Sequence, residues 1–169
     1  MSNPGQTLTI ERADFLQTLG KHRGFLRQTV AGLTDEQAAQ RSTVSELTLG
    51  GLIKHVAEVE ARWMRFAVGG AEAMSSEGVD WAGQFRMAPG ETLAGLLDRY
   101  DEVARNTDHL IATLPDLDAS HALPEAPWFE PGARWTMRRV LLHVIAETAQ
   151  HAGHADILRE SIDGSKTMG

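Results

Sequence analysis

Residues 137–162 read MRRVLLHVIAETAQHAGHADILRESI, and this stretch decides the fold. It is apolar at helical spacing, with Thr136 placed to cap its start and Gly164 to stop it. At 1.5 Å per residue such a helix is about 40 Å long. His143, Glu147 and His151 recur at i, i+4 and i+8, a row on one face beside Val140 and Val144. Part of that row therefore points inward. A carboxylate facing an apolar interior is costly unless it is paired or metal-bound, which makes Glu147 the most diagnostic residue of the chain.

Working outward, three further segments carry the same period. The first spans about Ile10 to Leu33, with Phe15, Leu19, Leu26 and Val30 on one face, weakened by Gly20 and Gly24. Thr34-Asp35-Glu36-Gln37 then reads as the capped start of a short extra turn. The second spans about Leu49 to Val68, from Thr48 to the stop Gly69-Gly70, with Leu52, Val56, Val59, Trp63 and Phe66 as its stripe. The third spans about Glu91 to Leu114, between Pro89-Gly90 and Pro115, lined by Leu93, Leu96, Leu97, Tyr100, Val103, Leu110 and Ile111. No alternating apolar pattern suggests a strand, so the expected class is all-α, one four-helix domain over residues 1–169. The connections at 70–89 and 115–134 are 20 residues each. Up-and-down bundles use loops of about 2–8 residues, so these lengths admit a crossover between parallel neighbours. The second connection carries Pro124, Pro127, Trp128, Phe129 and Pro131, with Trp135 just beyond; it either covers a site or seals a bundle end.

Composition bounds the function. The chain has 169 residues, net charge −7, and ordinary apolar and charged fractions of 42% and 23%. Arg23, Arg27, Arg62, Arg65, Arg138 and Arg139 are scattered over three helices and read as solvated faces. Nucleic acid and anionic membrane are therefore disfavoured as partners. Cysteine is absent, which removes disulfides, thiolate metal sites and cysteine nucleophiles; any thiol chemistry must use an external thiol. MSNPGQTLTIERADF lacks the apolar run of a signal peptide, and no segment approaches the ~18 apolar residues of a membrane span, so a cytoplasmic location is expected.

Glu147 and His151 can offer two donors to one ion, and a third must come from another helix, where His55 is the only histidine of the second. Each has an ordinary reading: His55 as a packed histidine, Glu147 with His151 as an i,i+4 polar pair. His143 and His154 read as structural or supporting, with His154 also able to hydrogen-bond a ligand. His22, His109 and His121 read as surface residues, and the Trp63/Phe66 and Trp81/Phe85 pairs as packing. Phosphate-cradling glycine loops, nucleophile elbows and HExxH are absent.

GLTDEQAAQRS, LTLGGLIKHVAEVEARW and WTMRRVLLHVIAETAQHAGHADILRESIDG together resemble the DinB/YfiT-like superfamily of metalloenzymes. Within it they are similar to the actinobacterial branch of the mini-circle protein and the mycothiol-dependent enzymes. The resemblance implies an up-down-down-up four-helix bundle, with the crossover at 70–89. It implies one divalent metal ion, zinc first, then nickel or iron, on His55, Glu147 and His151; His143 is then not a ligand. It further implies a low-molecular-weight thiol of the mycothiol type, a small electrophilic substrate and a homodimer. Three protein ligands leave an open position that favours thiolate at neutral pH. The same open site would also suit a hydrolase, and a non-catalytic metal-binding bundle remains a third reading.

Overall fold

The computed structural model describes residues 8–74 and 80–168; the N-terminal segment read above and part of the first long connection lie partly outside them. The fold is a mostly helical bundle of four long helices. They are α1 (Ile10–Gln28), α3 (Leu49–Ala73), α4 (Leu93–Thr113) and α5 (Met137–Asp163), with the short α2 (Asp35–Ala39) between the first two. Thr9, Thr34, Thr48, Thr92 and Thr136 each cap a helix start, accepting a backbone N–H three residues on. At Thr34 the box is reciprocal, Gln37 Oε1 accepting from the Thr34 N–H at 3.0 Å.

Ion pairs and hydrogen bonds between helices give the directions. Lys54 meets Glu91 and, further along both segments, Glu58 meets Arg99, so α3 and α4 run parallel. Glu11 meets Arg138, and the Thr29 carbonyl accepts from Arg159, so α1 and α5 also run parallel. Arg12 donates to the Leu114 carbonyl while Arg27 pairs with Asp101, which sets α1 against α4. His55 faces His151 and Trp63 faces His143, which sets α3 against α5. The order is up-down-down-up, as the sequence resemblance implies.

Two apolar layers fill the bundle. Leu26, Leu52, Ile53, Val56, Tyr100, Ala155 and Leu158 form one; Leu19, Trp63, Met64, Phe66, Ile111, Leu141 and Val144 form the other. Between them lies a buried polar layer with one residue from each long helix: Arg23, Glu60, Thr107 and Thr148. Arg23 donates to both carboxylate oxygens of Glu60, and at 2.8 Å to Asp108. This corrects the reading of Arg23 as a solvated residue. Spacing puts it on the same face as Leu19 and Leu26, and a guanidinium is tolerated there because a buried acid answers it.

Other differences are local. α1 ends at Gln28, since residues 29–33 pass into turns that include Gly32 at φ +73°. Gly70 does break helical geometry, at φ +75° and ψ −164°, but another turn follows to Ala73. Helix α4 starts at Leu93, because Thr92 caps it. The second connection forms two short antiparallel strands, β1 (Ser120–Ala122) and β2 (Arg134–Thr136), which the sequence pattern does not suggest. Three residues are too few to show alternation. His121, expected at the surface, packs on Phe66 and against Gly70, and His22 is half-buried beside Phe25.

Candidate metal centre

Antiparallel packing of α3 on α5 brings His55 opposite the row that begins at His143. His55, Glu147 and His151 each offer one donor atom, all within 4.8 Å of one another. Glu147 Oε2 lies 4.0 Å from His55 Nε2 and 3.5 Å from His151 Nε2. Tetrahedral donors on ~2.05 Å bonds sit about 3.3 Å apart, so a modest closure of these three side chains would suit one ion. The donor set, two imidazoles and a carboxylate, is that of open divalent sites. The imidazoles are 12% exposed and Glu147 is 28% exposed, so the cluster is partly open to solvent, neither fully hydrated nor in a dry core.

Both imidazoles have an outer partner. Gln84 Nε2 donates to the Trp81 carbonyl at 3.1 Å, which turns Gln84 Oε1 toward His55 Nδ1 at 3.0 Å. Only a protonated Nδ1 satisfies that oxygen, so Nε2 keeps its lone pair for the cluster. His151 Nδ1 lies 3.4 Å from His154 Nδ1, so Nε2 is the His151 nitrogen that faces Glu147. His143 Nε2 lies 3.9 Å from the other oxygen of Glu147, Oε1, so His143 flanks the triad and is not among its three donors.

Electrostatics favour neutral His55 and His143 beside an ionised Glu147. Burial, then the neighbouring His151, pushes His55 down to about 4 despite the opposing pull of Glu147. Burial also lowers His143. A hydrogen bond with His151 holds Glu147 below the usual carboxylate range, outweighing its own partial burial. Neutral imidazole and carboxylate are the forms that ligate.

Two connections frame this centre. Residues 80–86 carry Gln84 and Phe85, whose ring lies 4.3 Å from that of His55. They can approach because Gly51 lacks a Cβ: one built there would overlap the Phe85 carbonyl, which also accepts from Thr48 Oγ1 at 3.0 Å. The hairpin connection stacks Trp135 on Trp63 at 4.7 Å and sets both rings edge-on to His143. Sequence reasoning singles out His55, Glu147 and His151 and misses Gln84, Phe85 and Gly51. The Gly50-Gly51 pair opening a helix is the one visible signal, since glycine there weakens the helix unless something lies against it.

A protein-family model described as Mycothiol-S-transferase matches residues 14–164. No curated protein matches the chain significantly. Among solved structures, a conserved protein of a locus from Enterococcus faecalis is similar, with a TM-score of 0.66 and 16% identity. That likeness covers 94% of this chain and 100% of the other, and at such identity it speaks for the fold alone.

Proposed function

The chain belongs to the mycothiol-S-transferase family, within the DinB/YfiT-like superfamily, and from that premise we propose a metal-dependent transfer of a mycothiol-type thiol to a small electrophile. One divalent ion, zinc before nickel or iron, is held by His55, Glu147 and His151. The observation that carries this reading is the convergence of three donors from two helices, with Gln84 and His154 on the far nitrogens of the two imidazoles. When bound, such an ion supplies an open coordination position and a charge that favours thiol ionisation at neutral pH.

The chain's own residues do the rest. Gln84 holds His55 in one tautomer, and His154 buttresses the outer nitrogen of His151. Glu147 keeps its charge and offsets part of the ion's. Phe85, Trp63 and Trp135 line the approach and limit water around it. The thiol proton leaves to solvent, sulfur bonds to the electrophilic carbon, and the leaving group departs with the bonding pair.

The same reading takes the chain as one domain, working in the cytoplasm as a homodimer. Among the described residues no helix is long and apolar enough to cross a membrane. Pairing rests on the family resemblance. The test is incubation of zinc-loaded protein with mycothiol and a panel of small electrophiles, followed by mass spectrometry. An S-conjugate formed by the parent and not by His55→Ala supports the proposal. Turnover of an ester or amide with no thiol present would replace it with the hydrolase reading.

A further inference from the structure

We propose that Arg62 is an anion-recognising residue beside this cluster, taking a carboxylate carried by one of the two reactants. What that carboxylate is attached to rests on the metal-and-thiol reading; the arginine's suitability rests on its own geometry.

Arg62 stands seven residues after His55 on α3, two turns along nearly the same face, so its Cα lies about 10 Å from that of His55. The antiparallel α5 places Glu147 one turn from His151 in the same direction. A molecule bound at the triad and extended in this direction would meet Arg62. One segment ties the two together: the Arg62 guanidinium lies 4.9 Å from the centroid of Trp81, whose carbonyl holds the Gln84 that holds His55.

Among the described residues, no carboxylate pairs with this guanidinium; Arg139, over the Trp135 ring, shares that state on α5. Arg23, Arg27, Arg138 and Arg159 all meet carboxylates. Arg62 has neither an ion pair nor a side-chain hydrogen bond with any described residue, and its Nε is shut away from solvent. Glu58, the acid one turn back, is engaged by Arg99 at 3.7 Å, and Arg65 nearby adds like charge. Burial pushes the Arg62 pKa down from its usual value. A cation held partly out of water on an indole face, and paired with no described carboxylate, is suited to bidentate carboxylate recognition.

The experiment follows tryptophan fluorescence during titration with benzoate and with benzamide, its neutral counterpart of the same shape. It uses the zinc-loaded and the chelator-stripped protein, each as parent, Arg62→Lys and Arg62→Gln. Expected is a response to benzoate and none to benzamide, weakened about tenfold or more in Arg62→Gln and less in Arg62→Lys, with or without zinc. Benzoate binding that persists at saturating mycothiol assigns the carboxylate to the electrophile; competition assigns it to the thiol. Equal responses to benzoate and benzamide, or an unchanged Arg62→Gln, would overturn the inference, as would binding that needs zinc and ignores Arg62. Failure to take up zinc would sink the metal reading alone, because the stripped protein still reports on Arg62.

Discussion

Replacing Gln84 by Leu should weaken zinc binding without unfolding the protein. The amide sits in an irregular segment and contributes little to the core, but its Oε1 is the acceptor that fixes His55 Nδ1–H at 3.0 Å. Without it the imidazole can turn, and its free nitrogen no longer points at Glu147 by default. Loss of such an outer partner typically costs 10- to 100-fold in metal affinity, about 1.4–2.7 kcal/mol. Glu in place of Gln would accept the same proton with a full charge, so Gln84→Glu should bind zinc at least as tightly as the parent. The assay is competition against a chromophoric chelator of known affinity, beside thermal melts of the metal-free proteins. If Gln84→Leu matches the parent in affinity, the claim that this contact presets the site is wrong.

Gly51→Ala should be far more damaging to zinc binding than Gly50→Ala. The first sets a methyl against the Phe85 backbone, while the second meets the flexible Met87 side chain; the same chelator competition separates them. Glu60→Ala should cost about 3 kcal/mol in urea unfolding, because it leaves the buried Arg23 guanidinium with only the half-exposed Asp108 as partner. Arg23→Met with Glu60→Leu should recover most of that loss. The metal-free protein should lose stability as pH falls. His55 is neutral in the folded state down to about 4 but protonates near 6.5 when unfolded, so its contribution is complete above 6.5 and lost between those values. It amounts to at most about 3 kcal/mol, and urea unfolding at pH 7.5 and pH 5 should show a smaller difference in His55→Gln.

Much of this is legible in the sequence because helices leave a periodic record. Apolar spacing and threonine caps place all four long helices, and the i, i+4 pairing of Glu147 with His151 identifies the donors on α5. His55 is legible for a simpler reason: α3 carries no other histidine. What escapes depends on contacts between distant segments. Arg23 reads as a surface cation until Glu60, 37 residues away, is seen to face it. Gln84 lies in a connection with no period, so nothing local marks it as the partner of His55. Gly51 marks a close approach, but the sequence does not say of what. The hairpin at 120–136 is too short to show alternation, and the parallel pairing of α3 with α4 is admitted by loop length and implied by family resemblance rather than fixed by periodicity.

The most direct test of the central claim is elemental analysis of protein purified without a metal-affinity tag, beside His55→Ala and Glu147→Ala. One divalent ion per chain in the parent and almost none in either variant is the predicted result. A parent that holds no metal after soaking in zinc or nickel, or variants that hold as much as the parent, would contradict it.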